Sequence, residues 1–591
     1  MPWTATLKWS LCTVALFVSL SFQNAVTTSL PEPDPEVVLS HYPKDYFRSP
    51  INDNIRLTGT FGELRDDHFH SGIDIKSTTG GVGQPVLATA EGFIDRIKVQ
   101  AYGYGNAVYI KHPNGYTTLY AHLDRFAPSI EKYVRENQYQ KERFEVDLYP
   151  ADGDIKVNKG EEIGKLGNSG SSSGPHLHFE IRQSATGKVL NPQLFGLPVP
   201  DNVPPDVRDM KVYFLNDKRE VVSSHAFPFE TRADGSIGVV GDTVELAAWR
   251  VGFGVKAYDY MSGFRNDNGI AAIQVMHDGN IVYQWRMETL DFDETRYHNA
   301  HVDFPVRKSY GAWFHRCFVL PGNRLSNYSG NEQLGAIPLY KEKTGRVIIK
   351  IMDAMGNTTK ISFWVRRNSN IPTPELPPHQ YVLPFNVENR VDLENLSMVM
   401  PKGVLYETLY FNYSSSGEVG KNNQFSKLYH VHDNKTPAHR YFDLSIKPQG
   451  IPQNLKNKAV IVQKSDGRPD SWGGAWNGEW LTARVRKFGD YCVMIDNEAP
   501  QIAPIVFEND MRKKPSMSFR IRDNLATEGF ADGLWYRGTI DGKWILFEFD
   551  RKNNRLTHRF DARTAIGQHT LRLLVRDDRG NETVFEKPFL R

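Results

Sequence analysis

The chain has 591 residues, too many for a single hydrophobic core, which predicts about three to five domains. Its 71 basic and 69 acidic residues leave a formal net charge of +2, which gives no support for a nucleic-acid partner. Aromatic residues make up 12% of the chain, glycine and proline are frequent, and long apolar helix patterns are scarce. This composition predicts an all-β protein with short strands and many turns.

The first 25 residues differ from the rest of the chain. Lys8 precedes the apolar run WSLCTVALFVSLSF and then a region of small residues. This order is typical of a secretory signal peptide, which we predict over residues 1–25. The run is shorter than the roughly 20 residues of a membrane span, although an uncleaved anchor is the alternative. No second apolar segment follows, so we expect an exported protein with no transmembrane span after signal removal.

Two cysteines, Cys317 and Cys492, remain after the signal peptide. Export permits a disulfide, but two distant cysteines in different predicted domains do not require one. Cys492 lies in the apparent strand YCVMID, where a buried thiol is the expected outcome.

The region 45–198 contains short apolar runs separated by turns. Asn114-Gly115 lies between two such runs and predicts a β-hairpin. A charged stretch at about 129–154 interrupts the pattern, and it predicts a short helix or a mobile flap. This insertion could form a wall of a cleft or be a solvated segment without a function.

Downstream, the segment PDNVPPDV marks a domain boundary. We predict a first module at residues 203–368, a β-rich middle module at 381–497 and a last module at 498–591. The first and last modules share the order of their strands and end in the same D-x-x-G-N turn, at Asp353 and Asp577. They are predicted to be related β-sandwich, Ig-like modules, although such turns are common in β proteins.

The segment HFHSGIDIK carries the first chemical signal. His70 and Asp74 are four residues apart, in a sequence that favours a turn running into a strand. They could supply one nitrogen and one oxygen to a zinc ion, but a chance pairing in a polar turn is the alternative.

The segment GPHLHFEIR carries the second chemical signal. Side chains alternate faces along a strand, so His176 and His178 project to one face and Leu177 to the other. Burial of two imidazoles without partners is costly, which favours a functional role. His122, in TLYAHLD near the end of an apolar strand, is the third element.

Together, these motifs resemble the lysostaphin-like zinc peptidases, the LytM or M23 family, over residues 56–182. The resemblance implies a LytM-type antiparallel β-sheet peptidase domain. It also implies one Zn²⁺ per chain bound by His70, Asp74 and His178, with His122 and His176 as catalytic histidines that do not bind the metal. Three protein ligands leave a fourth position for water, as catalytic zinc requires. One imidazole can accept the proton of that water and another can stabilise the oxyanion, but the sequence does not assign these roles.

Four neighbouring residues have weaker signals. Arg65, in GELR, is expected to orient its loop rather than to react. Glu180 lies two residues after His178, where it could support that ligand or face solvent. His68 could share the face of His70 or lie on the surface, and His112 is expected to be structural at the hairpin.

The family resemblance implies hydrolysis of peptide bonds in peptidoglycan, and a D,D-endopeptidase acting on stem-peptide cross-links in the periplasm or cell envelope is our hypothesis. The alternatives are a non-catalytic LytM-type activator or scaffold of wall hydrolases, and an envelope binding or adhesion protein dominated by its β-sandwich modules. All five functional positions are filled, which favours catalysis. The C-terminal modules could bind other envelope proteins, and the Trp-rich segment 470–480 could bind a ligand or pack into its local core.

Overall fold

Antiparallel strands dominate the computed structural model, and the predicted all-β class is confirmed. The structure describes residues 42–591 except 234, 341–342, 371–374 and 466–467, so the predicted signal peptide lies outside the described residues. Within the described part of the chain, no helix has the length and apolar character needed to cross a membrane.

The N-terminal domain, residues 42–198, is built from twelve strands. They are β1 (Leu57–Gly59), β2 (Ile73–Lys76), β3 (Pro85–Leu87), β4 (Gly92–Val99), β5 (Asn106–Lys111), β6 (Tyr116–Ala121), β7 (Arg125–Phe126), β8 (Val146–Leu148), β9 (Lys156–Val157), β10 (Glu162–Lys165), β11 (His176–Gln183) and β12 (Val189–Leu190). The main sheet has the order β1-β2-β11-β6-β5-β4-β8, with β12 beside β11 and β9 beside β4. A smaller sheet has the order β3-β10-β7.

The predicted hairpin joins β5 and β6. Lys111 pairs with Thr117 across the turn, and Gly115 has a φ of 85°, a conformation that glycine adopts without a steric penalty. The hairpin places the end of β6 next to β11, where His178 lies opposite Ala121.

The insertion at 129–154 contains a helix rather than an unstructured flap. Helix α1 (Pro128–Lys141) begins with proline, whose missing N–H costs nothing at a helix start. It ends before Glu142, which is in the left-handed conformation with a φ of 47°. Ile130 and Val134 are buried beneath it, and β8 follows and extends the main sheet by pairing with β4.

The described residues of the predicted first module form fourteen strands and two short α-helices. The strands are β13 (Asp206–Leu215), β14 (Val221–Ala226), β15 (Phe229–Thr231), β16 (Ile237–Val239), β17 (Thr243–Leu246), β18 (Arg250–Tyr258), β19 (Ala272–His277), β20 (Asn280–Arg286), β21 (Thr289–Leu290), β22 (His315–Arg316), β23 (Tyr328–Ser329), β24 (Ile337–Pro338), β25 (Thr344–Met352) and β26 (Thr358–Arg367). The helices are α2 (His298–His301) and α3 (Phe304–Tyr310). One sheet is centred on β13 and β18 and the other on β26, β25 and β19, and a single core lies between them.

The N-terminal domain and the first module share that core. Phe61, Leu64 and Phe69 of the N-terminal domain belong to the same buried cluster as the first module's core residues. The Phe69 ring lies 6.2 Å from the Trp285 ring, and β12 pairs with β21 across the boundary. The two regions therefore fold against each other rather than as separate bodies.

The described residues of the predicted middle and last modules form twenty-one strands. In the middle module they are β27 (Tyr381–Leu383), β28 (Asn389–Asp392), β29 (Leu396–Met400), β30 (Leu409–Phe411), β31 (Tyr413–Ser416), β32 (Leu428–Val431), β33 (Pro437–Ile446), β34 (Ala459–Ser465), β35 (Arg468–Ser471), β36 (Ala475–Asn477), β37 (Trp480–Lys487) and β38 (Gly489–Ile495). In the last module they are β39 (Gln501–Val506), β40 (Ser516–Arg522), β41 (Ala526–Thr527), β42 (Trp535–Ile540), β43 (Lys543–Trp544), β44 (Glu548–Asp550), β45 (Arg555–Arg559), β46 (Gln568–Arg576) and β47 (Glu582–Leu590). Strand β41 pairs in parallel with β35 and so ties the two modules together.

Two features that the sequence left open are buried in the modules that follow the N-terminal domain. Trp472, from the Trp-rich segment, is 4% exposed and belongs to the middle module's core, so it packs locally rather than offering a binding surface. Cys317 and Cys492 are free thiols and both are buried.

Replacing Phe69 with alanine tests the shared core. Loss of this fully buried ring should lower the free energy of unfolding by about 3–5 kcal/mol, measured by denaturant unfolding. Tyr310→Ala, at a side chain that is 82% exposed, is the control and should change it by less than about 0.5 kcal/mol. Equal effects of the two substitutions would contradict the shared core.

Candidate metal centre

Three ligand atoms meet at the edge of β2 and β11. His70 Nε2 lies 3.0 Å from Asp74 Oδ1 and 3.0 Å from His178 Nδ1, and His178 Nδ1 lies 3.0 Å from Asp74 Oδ1. The strand register explains the convergence, because His178 is directly opposite Asp74 in the antiparallel pair. His70 comes from the turn that leads into β2, as the sequence predicted.

The size and chemistry of this triangle fit zinc. Tetrahedral zinc with ligands at about 2.0–2.1 Å has ligand atoms about 3.3 Å apart, close to the observed separations. Two imidazole nitrogens and one carboxylate oxygen form a donor set that zinc accepts and that calcium or magnesium does not prefer. The Nδ1–H of His70 donates to the Thr60 carbonyl at 2.8 Å, which leaves the lone pair of Nε2 directed at the other two ligands.

The other nitrogen of His178 is held by a buried carboxylate. Its Nε2 is 2.9 Å from Glu180 Oε1, and Glu180 is fully buried. The same carboxylate accepts hydrogen bonds from Tyr104 Oη at 2.6 Å, Ser71 Oγ at 2.7 Å and Arg182 Nε at 2.7 Å. Burial opposes ionisation of Glu180, but the charge of Arg182 and the hydrogen bond from His178 outweigh it and hold the pKa of Glu180 at about 2. Glu180 therefore orients the His178 ring and does not face solvent.

Asp74 is oriented in a similar way. Its Oδ2 accepts a hydrogen bond from Arg65 Nη2 at 2.9 Å, which leaves Oδ1 for the ligand triangle. Gly59 makes room for this pair, because a Cβ there would lie 2.5 Å from Arg65 Nη2 and 2.7 Å from Asp74 Oδ2. Arg65 therefore contacts a predicted ligand directly, beyond the loop-orienting role expected from the sequence.

His122 and His176 lie beside the triangle. Their ring centroids are 4.8 Å apart, and His176 Nε2 is 3.3 Å from Asp74 Oδ1. The Nδ1–H of His122 donates to the Ser169 carbonyl at 2.9 Å, so its Nε2 keeps a lone pair, and His176 Nδ1 lies 2.9 Å from the Gly174 carbonyl. Burial and the neighbouring histidines lower the pKa of His122 to about 3, so its imidazole is neutral.

His68 and His112, which the sequence analysis also considered, lie outside the candidate metal centre. His68 is exposed and its Nδ1 pairs with Asp67 at 2.8 Å. His112 is buried at the hairpin, where its Nδ1–H donates to the Glu91 carbonyl at 2.7 Å and its Nε2 accepts from Thr118 Oγ1 at 2.8 Å. It is structural, as expected.

Four supporting residues escaped the sequence analysis: Ser71, Tyr104, Ser169 and Arg182. Arg182 could have been found, because it continues the two-residue alternation of His176, His178 and Glu180 along β11. Tyr104 and Ser169 lie in glycine-rich loops, and no periodic pattern predicts where their groups point.

The last module contacts the N-terminal domain next to the candidate metal centre. Helix α1 provides Tyr139, whose ring is 5.2 Å from Trp544, and Arg135, which pairs with Glu548 at 3.1 Å. Lys552 Nζ donates to the Ser172 carbonyl at 3.0 Å, and Ser172 Oγ lies 3.2 Å from His176 Nδ1. The insertion is therefore a docking platform for the last module rather than a solvated segment.

Two regions of the chain match known families. Residues 68–139 and 150–192 match the sequence profile of Peptidase family M23, and residues 380–496 match that of the Zu5-like domain. The first match contains all five predicted site residues, and the gap in it falls within the insertion.

Several curated proteins are similar to the same region. The chain is 38% identical over 151 residues to the DD-carboxypeptidase/endopeptidase Mpg of Neisseria meningitidis serogroup B, an alignment that covers 25% of this chain and 28% of that protein. It is 32% identical over 168 residues to the murein hydrolase activator NlpD of Salmonella typhimurium, covering 28% of this chain and 36% of that protein. These alignments therefore span only about a third of the relatives' length.

A similar solved structure is the catalytic domain of the prophage-encoded M23 protein EnpA from Enterococcus faecalis. It is 28% identical, and the alignment covers 26% of this chain and 97% of that one with a TM-score of 0.19. The catalytic domain of the peptidase lysostaphin from Staphylococcus simulans is 24% identical, with coverages of 27% and 93% and a TM-score of 0.16.

Replacing Gly72 with alanine tests the packing that holds His178 in place. The added Cβ would lie 2.5 Å from the Phe179 carbonyl oxygen and 2.9 Å from His178 Cε1. We expect the free energy of unfolding to fall by about 1–3 kcal/mol, measured by denaturant unfolding. Gly81→Ala, where the added Cβ meets nothing within 4 Å, is the matched control. Indistinguishable unfolding curves would show that β2 and β11 have room to separate.

Proposed function

With residues 68–192 identified as a domain of Peptidase family M23, we propose that the chain is a zinc metalloendopeptidase that cleaves peptide bonds in peptidoglycan. The observation that carries the proposal is the convergence of His70, Asp74 and His178 beside two histidines, His122 and His176, that are free to act on a substrate. We propose one Zn²⁺ per chain, bound by the first three residues.

Each side chain has a distinct task in this proposal. When bound, zinc would supply Lewis-acid chemistry, by activating water at neutral pH and polarising a carbonyl group. His122 is neutral with a free Nε2, which suits it to accept a proton. His176 Nε2 lies 3.3 Å from Asp74 Oδ1, so in this proposal it hydrogen-bonds the reacting oxygen or the leaving amine. Glu180 and Arg65 fix the ligands and do not react.

The bond that we propose is the D,D cross-link between stem peptides. Among the similar proteins, Mpg is a DD-carboxypeptidase/endopeptidase, and ShyC of Vibrio cholerae, 31% identical over 161 residues, is a peptidoglycan DD-endopeptidase. An exported enzyme of this kind would act in the periplasm or cell envelope. Its partners would be peptidoglycan peptides, together with any envelope protein that the C-terminal modules bind.

The second candidate function is activation of a separate wall hydrolase. It is favoured by the similarity to NlpD and by the last module, whose Lys552 contacts the loop that carries Ser172, next to His176. Catalysis is favoured over activation because the ligand set is complete and its supporting hydrogen bonds are all in place.

Mass spectrometry of muropeptides released from intact sacculi separates the two functions. We expect the zinc-loaded chain without its signal peptide to consume cross-linked dimers, and a chelator to abolish the reaction until zinc is restored. His178→Ala should lose both zinc and activity. His122→Ala and His176→Ala should keep zinc while the rate falls by about 10²–10⁴-fold, because each removes a proton-transfer or stabilising group.

His68→Ala is the matched control, because His68 is exposed and paired only with Asp67, and it should leave the rate unchanged. If dimers persist with the zinc-loaded chain while a separate hydrolase is accelerated, the chain is an activator and the catalytic proposal is wrong.

Replacing Lys552 with alanine tests whether the last module limits access of the substrate to His176. If the hydrogen bond from Lys552 to the Ser172 carbonyl holds the last module beside His176, its loss should raise kcat/KM on sacculi about two- to fivefold. This factor corresponds to a surface contact of about 0.4–1 kcal/mol. Lys587→Ala, an exposed lysine on β47 of the same module, is the control. A lower rate for the Lys552 variant would instead indicate that the module assists substrate binding.

A further inference from the structure

Two clusters of aspartates lie outside the metal centre, one in the first module and one in the last. In each cluster, three carboxylate oxygens lie within 4.8 Å of one another. The clusters are Asp201, Asp259 and Asp353 in the first, and Asp496, Asp523 and Asp577 in the second. In both, the first aspartate precedes the module in the chain and the other two directly follow strands of it.

The hydrogen bonds of the first cluster define its geometry. Asp353 Oδ1 accepts from the backbone N–H groups of Met355 at 2.8 Å and Asn357 at 2.9 Å, and its Oδ2 accepts from Asn357 Nδ2 at 2.7 Å. The same amide lies 3.4 Å from the carbonyl of Asp201. The turn therefore fixes the third aspartate against the linker.

The second cluster repeats this network. Asp577 Oδ1 accepts from the backbone N–H groups of Arg579 and Asn581 at 2.8 Å each, and its Oδ2 accepts from Asn581 Nδ2 at 2.7 Å. The same amide donates to the carbonyl of Asp496 at 3.0 Å. A common D-x-x-G-N turn does not by itself explain why the whole network recurs, because Asp201 and Asp496 lie outside the two turns.

Both clusters contain buried polar atoms that have no partner among the described residues. Asp259 is 4% exposed and its Oδ1 is unpaired, and Asp496 is fully buried with an unpaired Oδ2. Asn268 is 1% exposed, and neither its Oδ1 nor its Nδ2 has a partner. It lies opposite Asp259 in an antiparallel bridge, which puts both side chains on one face. Buried polar atoms in proteins normally have a hydrogen-bond partner or bind an ion, so these unpaired atoms point to a ligand.

The electrostatics of the clusters favour a cation. Burial, followed by the charges of Asp353 and Asp201, raises the pKa of Asp259 to about 8. Burial, followed by the charges of Asp496 and Asp577, raises the pKa of Asp523 to about 7. Ionised carboxylates at these positions repel one another, and a bound divalent ion would remove that repulsion.

We propose that each cluster binds one Ca²⁺ ion and that the two ions brace the joints between modules. The donors are all oxygens, which selects a hard cation over zinc. Calcium accepts six to eight oxygen ligands in flexible geometry, whereas magnesium requires nearly ideal octahedral geometry and loses its bound water reluctantly, so calcium fits the clusters better. The first ion would join the N-terminal domain to the first module through Asp201. The second would join the middle module to the last through Asp496.

Calorimetric titration of the full chain with CaCl₂ tests this proposal. The protein is treated with EGTA, dialysed and resupplied with zinc before the titration. We expect two Ca²⁺ ions per chain, with MgCl₂ binding at least tenfold more weakly. Asp259→Asn and Asp523→Asn, at carboxylates that hold no turn, should each reduce the stoichiometry from two to one. Asp293→Asn, at an exposed site in the first module, is the control and should keep both sites.

Thermal unfolding distinguishes a cation site from a purely structural cluster. Saturating Ca²⁺ should raise the unfolding midpoint of the native chain by about 5–10 °C, and each variant should lose part of that increase. Without Ca²⁺, both variants should unfold at the native temperature or above it, because the substitution removes repulsion. No binding to the native chain at millimolar Ca²⁺, or two sites retained in both variants, would overturn the proposal.

Discussion

The pairing of β11 with β2 brings together His178 and Asp74, the two ligands around which the candidate metal centre is arranged. Because His178 lies opposite Asp74, a one-residue slip of either strand would turn one of the two ligands to the opposite face. The slip is opposed from both faces of β11. Leu177 and Phe179 are fully buried on one side, and on the other Glu180 accepts hydrogen bonds from three donors besides His178. The core and the polar network therefore specify the same register.

The first and last modules contact the segments that carry the centre from outside the N-terminal domain. Phe69, next to the predicted ligand His70, packs into the core of the first module, so the turn that carries His70 is anchored from outside its own domain. On the other side of the centre, Trp544 and Lys552 of the last module contact helix α1 and the loop before β11. The proposed calcium ions would fix the joints from which these modules project. Contacts from the first and last modules therefore reach the segments that carry His70 and His176.

The sequence predicts what depends on local periodicity. The alternation of His176, Leu177 and His178 was visible because neighbouring residues on a strand point to opposite faces, and the Asn114-Gly115 hairpin was visible because few other sequences adopt that turn. The roles of Tyr104 and Ser169 were not visible, because loop conformation and long-range packing decide where their groups point. The D-x-x-G-N repeat was also visible, but its partner Asp201 is distant in sequence from Asp353, so the cluster appeared only in three dimensions. The domain boundaries drawn from the sequence stay predictions, and two strand pairs, β12 with β21 and β35 with β41, cross them.

Anomalous diffraction from crystals of the purified chain, measured on both sides of the zinc absorption edge, tests the central claim most directly. We expect one zinc peak per chain, within bonding distance of His70 Nε2, Asp74 Oδ1 and His178 Nδ1, with His122 and His176 next to it but unbound. A zinc peak at either aspartate cluster, a peak coordinated by His122 or His176, or no peak in zinc-saturated crystals would contradict it.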